Sequence, residues 1–262
     1  MIRATLVASA VVLMLTSGSG AQSTPPAPYA AAPVPFGLGE RMTYKVALGI
    51  VGEVGTGTLQ VDTALDTIHG HPSYKLRFQL NGGVPFARVD DDYRSWLDVQ
   101  SLISRRFKQD QHEVRYERHR TFDFLPEQRI WKRVDKNESG PMPTELPLDD
   151  VSFLYFIRTL PLEVGRTYSF NRYFHAEGNP VTVKVLRKET ITVPAGRFQT
   201  IVVQPIIKTK GLFSEGGQAE VYFSDDNRRI LVAIHSKVKI LKSMDVRLES
   251  YSAGLRLASP AQ

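Results

Sequence analysis

Along most of this chain, apolar and polar residues alternate with a period of two. Met42, Tyr44, Val46 and Leu48 interleave with Thr43, Lys45 and Ala47, and Tyr74, Leu76, Phe78 and Leu80 interleave with Lys75, Arg77 and Gln79. Such alternation turns one side of an extended segment toward a core and the other toward water, the pattern of a half-buried strand. The same reading predicts strands near residues 58–65, 89–99, 102–109, 114–124 and 129–134, then near 167–175, 181–193, 197–209, 218–224, 229–240 and 244–251. Turn chemistry separates them: His69-Gly70-His71-Pro72, Gly178-Asn179-Pro180, Pro194-Ala195-Gly196, Gly216-Gly217 and Asp225-Asp226-Asn227. Residues 135–147, rich in proline and polar groups, read as a loop. About a dozen strands with short connections predict an all-β, antiparallel meander. Alternation sustained over so many strands implies a strongly curved sheet, either an incomplete barrel or a sandwich.

One stretch breaks the period. Residues 146–165, LPLDDVSFLYFIRTLPLEVG, are apolar at nearly every position from Val151 to Leu160. Asp149 and Asp150 offer acceptors for the free N–H groups at a helix start, and their charge suits the positive end of its dipole. Pro161 cannot continue the ladder, so a helix is expected near 150–160. Phe153, Phe156, Ile157 and Leu160 share one face, while Val151, Leu154 and Tyr155 widen the apolar surface around the axis. A helix of that kind is buried on several sides. It is expected to cover the concave face of the sheet.

Gly49, Gly52, Gly55 and Gly57 fall in the connection after the first strand, and residues 49–57 read as a turn. A phosphate loop is excluded by the spacing, by the lack of a following GK[ST], and by the strand that comes next. The glycines instead predict a hairpin with a bulge or a close backbone approach. Before the first strand lies a secretory signal: Arg3, an apolar run over residues 6–15, and Ser19-Gly20-Ala21 as a cleavage site leaving Gln22 first. That apolar run is too short for a helix that spans a bilayer, which needs about 20 residues. No later segment reads as a span. Residues 22–38 form a Pro/Ala-rich linker, 39–252 the β-domain, and 253–262 a tail.

Composition narrows the compartment and the chemistry. The chain has no cysteine, which excludes disulfides, thiolate metal sites, cysteine nucleophiles and a lipid-anchoring thiol. Its formal net charge is +6, and removal of residues 1–21 takes away only Arg3, leaving +5. The excess is spread over strand faces, where it solvates the sheet and attracts anionic envelope surfaces; nucleic acid is not an expected partner.

Candidate chemistry is sparse. Asp90-Asp91-Asp92 lacks the spacing of a calcium loop, and neighbours on a strand point to opposite faces. Asp225-Asp226-Asn227 reads as a tight turn. Of the six histidines, at 69, 71, 112, 119, 175 and 235, only His69 and His71 stand two apart on one segment, and they lie in a turn. No GxSxG or HExxH occurs, so no catalytic residue, cofactor or metal site is read from the sequence. Aromatic residues are concentrated in mid-chain, and residues 208–213, KTKGLF, read as a basic and apolar hairpin tip.

Three stretches carry a resemblance to a known family. They are FGLGERMTYKVALGIVGEVGTGTLQV at the start, DDVSFLYFIRTLPLEVGRTYSF around the helix, and VKVLRKETITVPAGRFQTIVVQP followed by VYFSDDNRRILVAIHSKV. Together they resemble the bacterial envelope family called domain of unknown function 3108, over roughly residues 36–251. Glu53-Val54-Gly55 departs from the alanine-glycine pair usual in that family's glycine turn. The resemblance implies an exported β-domain and no agreed activity. The expectation is therefore a non-enzymatic periplasmic domain binding an apolar or lipid-like ligand between sheet and helix, with Phe153, Phe156, Ile157, Tyr93 and Trp96 as ligand-facing residues. The alternatives are a structural or interaction module with a filled core and, third, a hydrolase of envelope polymers.

Overall fold

A computed structural model of the chain describes residues 34–84, 87–113, 116–207, 218–238 and 242–257. The predicted leader, most of the linker and the KTKGLF tip lie outside these residues. One antiparallel sheet of fifteen strands, open rather than closed, accounts for nearly all of the structure. Its first half comprises β1 (Arg41–Leu48), β2 (Gly52–Val61), β3 (Asp66–Ile68), β4 (His71–Val84), β5 (Ala87–Asp98), β6 (Ser104–Glu113), β7 (Tyr116–Leu125), β8 (Ile130–Arg133) and β9 (Glu138–Pro141). After the helix α1 (Asp150–Ile157) come β10 (Thr167–Phe170), β11 (Val181–Val193), β12 (Gly196–Ile206), β13 (Gln218–Ser224), β14 (Leu231–Val238) and β15 (Lys242–Ser252).

The spatial order runs from β9 back through the first half to β1, across to β15, and back again to β10, with β3 attached to β4. Pairing of β1 with β15 thus joins the two ends of the chain in the middle of the sheet. The edges are β9 and β10, the two strands that flank α1 in sequence. The helix segment connects these two edges along the chain, α1 itself packs against β4 and β5, and a parallel bridge of Leu148 to Tyr173 links the segments on either side of it. Its side chains join the inward residues of the sheet, among them Tyr44, Leu59, Leu76, Phe107, Phe122, Val183, Val203, Val221 and Leu248, in one core.

Several boundaries differ from the sequence reading. The helix ends at Ile157, not Leu160, and the chain tightens through Thr159 N–H to Phe156 O and Leu160 N–H to Ile157 O. The residue before a proline is pushed out of the helical region, so Pro161 acts one turn ahead of itself. Residues 135–147 are not all loop, because β9 pairs with β8. The strand expected over 167–175 stops at Phe170, and Arg172 instead donates to the carbonyls of Leu146 and Leu102. The glycine turn is short, since β2 already begins at Gly52. A register shift in β1 at Val46/Ala47 and the approach of Gly55 to Gly82 match the expected bulge and close backbone contact. A Cβ on Gly55 would lie 2.7 Å from the Gly82 Cα. Finally, Pro35, Phe36 and Gly37 are buried and Leu38 pairs with Leu255, so the end of the linker and the start of the tail belong to the folded body.

Candidate functional site

The space beneath α1 is built around a buried carboxylate. Asp149 caps the helix by accepting from the N–H groups of Val151 and Ser152, both at 2.9 Å, while Ser152 Oγ accepts from Asp149 N–H at 2.8 Å. The other Asp149 oxygen accepts from Ser95 Oγ of β5 at 2.6 Å and from Ser104 Oγ of β6. A local capping device is thereby also the clamp that seats the helix on the sheet. Burial pushes the Asp149 carboxyl up, against the pull of these four donors. Asp150, beside it, is pushed up to about 6 by burial and by the Asp149 charge, and Tyr173 Oη at 3.1 Å only partly opposes this.

Phe153, Phe156 and Ile157 do face the sheet, but they are 2%, 1% and 0% exposed and belong to the continuous core. Phe156 packs edge-on against Phe170 at 5.2 Å and lies under the Arg172 guanidinium at 4.4 Å. All three pack with the inward residues of the sheet. Tyr93 is on the same face, between Phe78 and Phe107, and its hydroxyl donates to Asp91 and accepts from Gln111 Nε2 at 2.6 Å. Trp96 is not with them. Ser95 points at the helix, so its strand neighbour points away. The Trp96 ring lies on the outer face near Lys75 and Arg106, and its Nε1 donates to Asp66 at 2.8 Å.

Open space occurs elsewhere. Antiparallel order brings the C-terminal ends of β1, β4, β6, β12 and β14 to one end of the sheet. There a cleft of about 720 Å³ is lined by Val54, Val84, Val89 and the Gly82-Gly83 backbone, with Arg88 and Asp90 among its polar groups. Ile50 and Val51, at the tip of the β1–β2 hairpin, are 60% and 49% exposed. A second cleft of about 620 Å³ continues along the outer face past Asn81, Asp90, Asp92, Asp110, His112 and His119. On its floor Arg77 and Arg94 both pair with Asp92, with closest contacts of 2.7 and 2.6 Å. Burial pushes the Asp92 carboxyl up, but the two guanidinium groups outweigh it and hold the group below the usual carboxylate range.

At the end of this second cleft, the β6–β7 hairpin assembles a group that one-strand spacing could not reveal. Its register sets His112 opposite Glu117 and Asp110 opposite His119, so all four project from one face. His112 Nε2 lies 3.2 Å and His119 Nε2 3.8 Å from Glu117 Oε1, and His119 Nδ1 is 3.1 Å from Asp110. The signal present in the sequence is a pair of position sums, 112 + 117 and 110 + 119, equal about one turn centre. His69 and His71, read from the sequence as turn residues, are part-exposed there and face Asp123 at 3.1 Å and Asp98 at 3.3 Å.

Comparison with known proteins places the fold in context. A family profile described as "protein of unknown function (DUF3108)" matches residues 41–246. The chain belongs to the DUF3108 family. The match runs from β1 into β15, and so takes in both sheet halves and the helix between them in sequence. No curated protein sequence matches the chain. Among solved structures, a protein designated a lipoprotein from Parabacteroides distasonis ATCC 8503 aligns at 12% identity and a TM-score of 0.33, covering 84% of this chain and 99% of its own. A protein designated exported, with a YmcC-like fold, from Bacteroides fragilis NCTC 9343 aligns at 11% identity and a TM-score of 0.30, covering 85% and 99%. At such scores neither likeness bears on this DUF3108 member's site. Among the described residues, no helix is long and apolar enough to cross a membrane.

Proposed function

We propose that this DUF3108 protein is an exported, non-enzymatic binding domain of the bacterial envelope, and that it takes a lipid-like amphiphile in the cleft at the hairpin end rather than beneath α1. The observation that carries this reading is the lining of the 720 Å³ cleft: Val54, Val84 and Val89 offer an apolar wall, and Arg88 a cation for an anionic head. Pockets for small ligands combine an apolar lining with a few polar groups in this way. Export rests on the signal read in residues 1–21. The non-enzymatic reading is supported by the state of the histidines. Among the described residues, His69, His71, His119 and His235 each face an aspartate, yet no hydroxyl is hydrogen-bonded to any of their imidazole rings. Ser243 Oγ, near His235, donates to Asp245 instead.

The test is titration of delipidated, tag-free protein with a fluorescent fatty acid. Saturable binding is expected, weakened about tenfold by Val84→Asp or Arg88→Glu, a loss of about 1.4 kcal/mol. Absence of saturable binding by folded wild-type protein would overturn this reading. It would favour a structural or interaction module, the second reading, which the burial of Phe153, Phe156 and Ile157 in the core supports.

A further inference from the structure

We propose that His112, Glu117 and His119 form a binding site for a divalent transition-metal ion, of the zinc class, on the outer face of the β6–β7 hairpin. One ligand atom from each residue can be chosen so that all three lie within 4.8 Å of one another. In a tetrahedral zinc site with bonds of about 2.0–2.1 Å, ligand atoms stand about 3.3 Å apart. The distances of 3.2 Å from His112 Nε2 to Glu117 and 3.8 Å from His119 Nε2 to Glu117 need only a small inward movement of exposed side chains. Two imidazoles and a carboxylate suit zinc rather than magnesium or calcium, which prefer oxygen donors throughout. Water would complete the coordination, as the three side chains are exposed at the end of the outer-face cleft.

A fourth residue makes this more than a chance meeting of surface groups. Asp110 Oδ1 is 3.1 Å from His119 Nδ1, so the Nδ1–H donates to the carboxylate and Nε2 keeps its lone pair for the ion. Carboxylate–histidine–metal relays of this form set both the tautomer and the ring orientation. Asp110 is itself paired with Lys108 at 2.8 Å, through the oxygen that does not face His119. The His112 and His119 rings meet at 5.0 Å and 66°, so they converge without stacking. His112 also lines the 720 Å³ cleft, whereas Glu117 and His119 do not.

Calorimetric titration of the full, tag-free chain with Zn²⁺ at neutral pH tests it, with Co²⁺ as a spectroscopic reporter. One equivalent is expected to bind, and Co²⁺ to show the visible bands of a four-coordinate nitrogen and oxygen site. His112→Ala and His119→Ala should each weaken binding at least tenfold while melting like wild type, because both side chains are exposed. Asp110→Asn leaves all three ligands in place and should still weaken binding about tenfold. Wild-type protein that binds no Zn²⁺ saturably, or alanine variants that bind it as well as wild type, would overturn the site. An unchanged Asp110→Asn would overturn the positioning role of Asp110.

Discussion

Asp150 shows how one residue can be locally favourable and globally costly. Its charge suits the first turn of a helix, yet burial and the neighbouring Asp149 carboxylate push it up to about 6. The folded protein therefore holds a proton at Asp150 over a pH range in which the unfolded chain, near 3.8, has released it. Folded-state proton uptake of this sign makes the contribution to stability fall as pH rises from about 4 to about 6, and stay low above that. Asp150→Asn should abolish this slope. It should match wild type near pH 4 and be more stable above pH 6 by on the order of 2 kcal/mol. Thermal melts at both pH values measure the difference, and a variant no more stable than wild type at pH 7 would contradict the account.

At the scale of elements, α1 is a helix of eight residues. So short a helix is marginal by itself in water and relies on tertiary packing. The packing is supplied on its flank by Phe170 and the Arg172 guanidinium over Phe156, and at its start by the Ser95 and Ser104 hydroxyls on Asp149. Phe156→Ala should therefore open a cavity and cost about 3–5 kcal/mol in denaturant unfolding. Its affinity for an acyl probe should not change if the ligand sits in the hairpin-end cleft. A substitution that cost little and altered probe binding would return the ligand to the space under the helix.

At the scale of the whole molecule, the end of the helix is tied to the middle of the sheet by a buried ion pair. Arg158, one residue beyond α1, pairs with Glu40 just before β1 at 2.6 and 2.9 Å, and also donates to the Arg228 carbonyl between β13 and β14. Both side chains are 1% exposed, and the Phe36 and Tyr155 rings flank the guanidinium at 5.4 and 5.2 Å. The pair thus ties the entry to β1, the helix and the second half of the sheet at one point. Arg158→Met would leave Glu40 buried without its partner, which costs about 3–5 kcal/mol. Adding Glu40→Gln should recover part of that loss. Equilibrium unfolding of the single and double variants tests this, and a double variant less stable than Arg158→Met would show that Glu40 is not the source of the penalty.

Much of the fold was legible in the sequence because strand alternation and an unbroken apolar run report burial directly. Period-two segments located most strands, proline and aspartate bracketed the helix, and the glycines after β1 announced close contact between backbones. What remained hidden depends on pairs far apart in the chain. Nothing local shows that β1 lies beside β15, that Glu40 meets Arg158, or that Ser95 and Ser104 converge on Asp149. The candidate sites divide in the same way. Apolarity alone could not distinguish a pocket under α1 from a packed core, because Phe153, Phe156 and Ile157 satisfy either, and Trp96 was grouped with Tyr93 although strand parity sends it to the opposite face. His112, Glu117 and His119 lie too irregularly in sequence to form a motif. They meet because hairpin register, set by backbone hydrogen bonds across two strands, decides which side chains share a face.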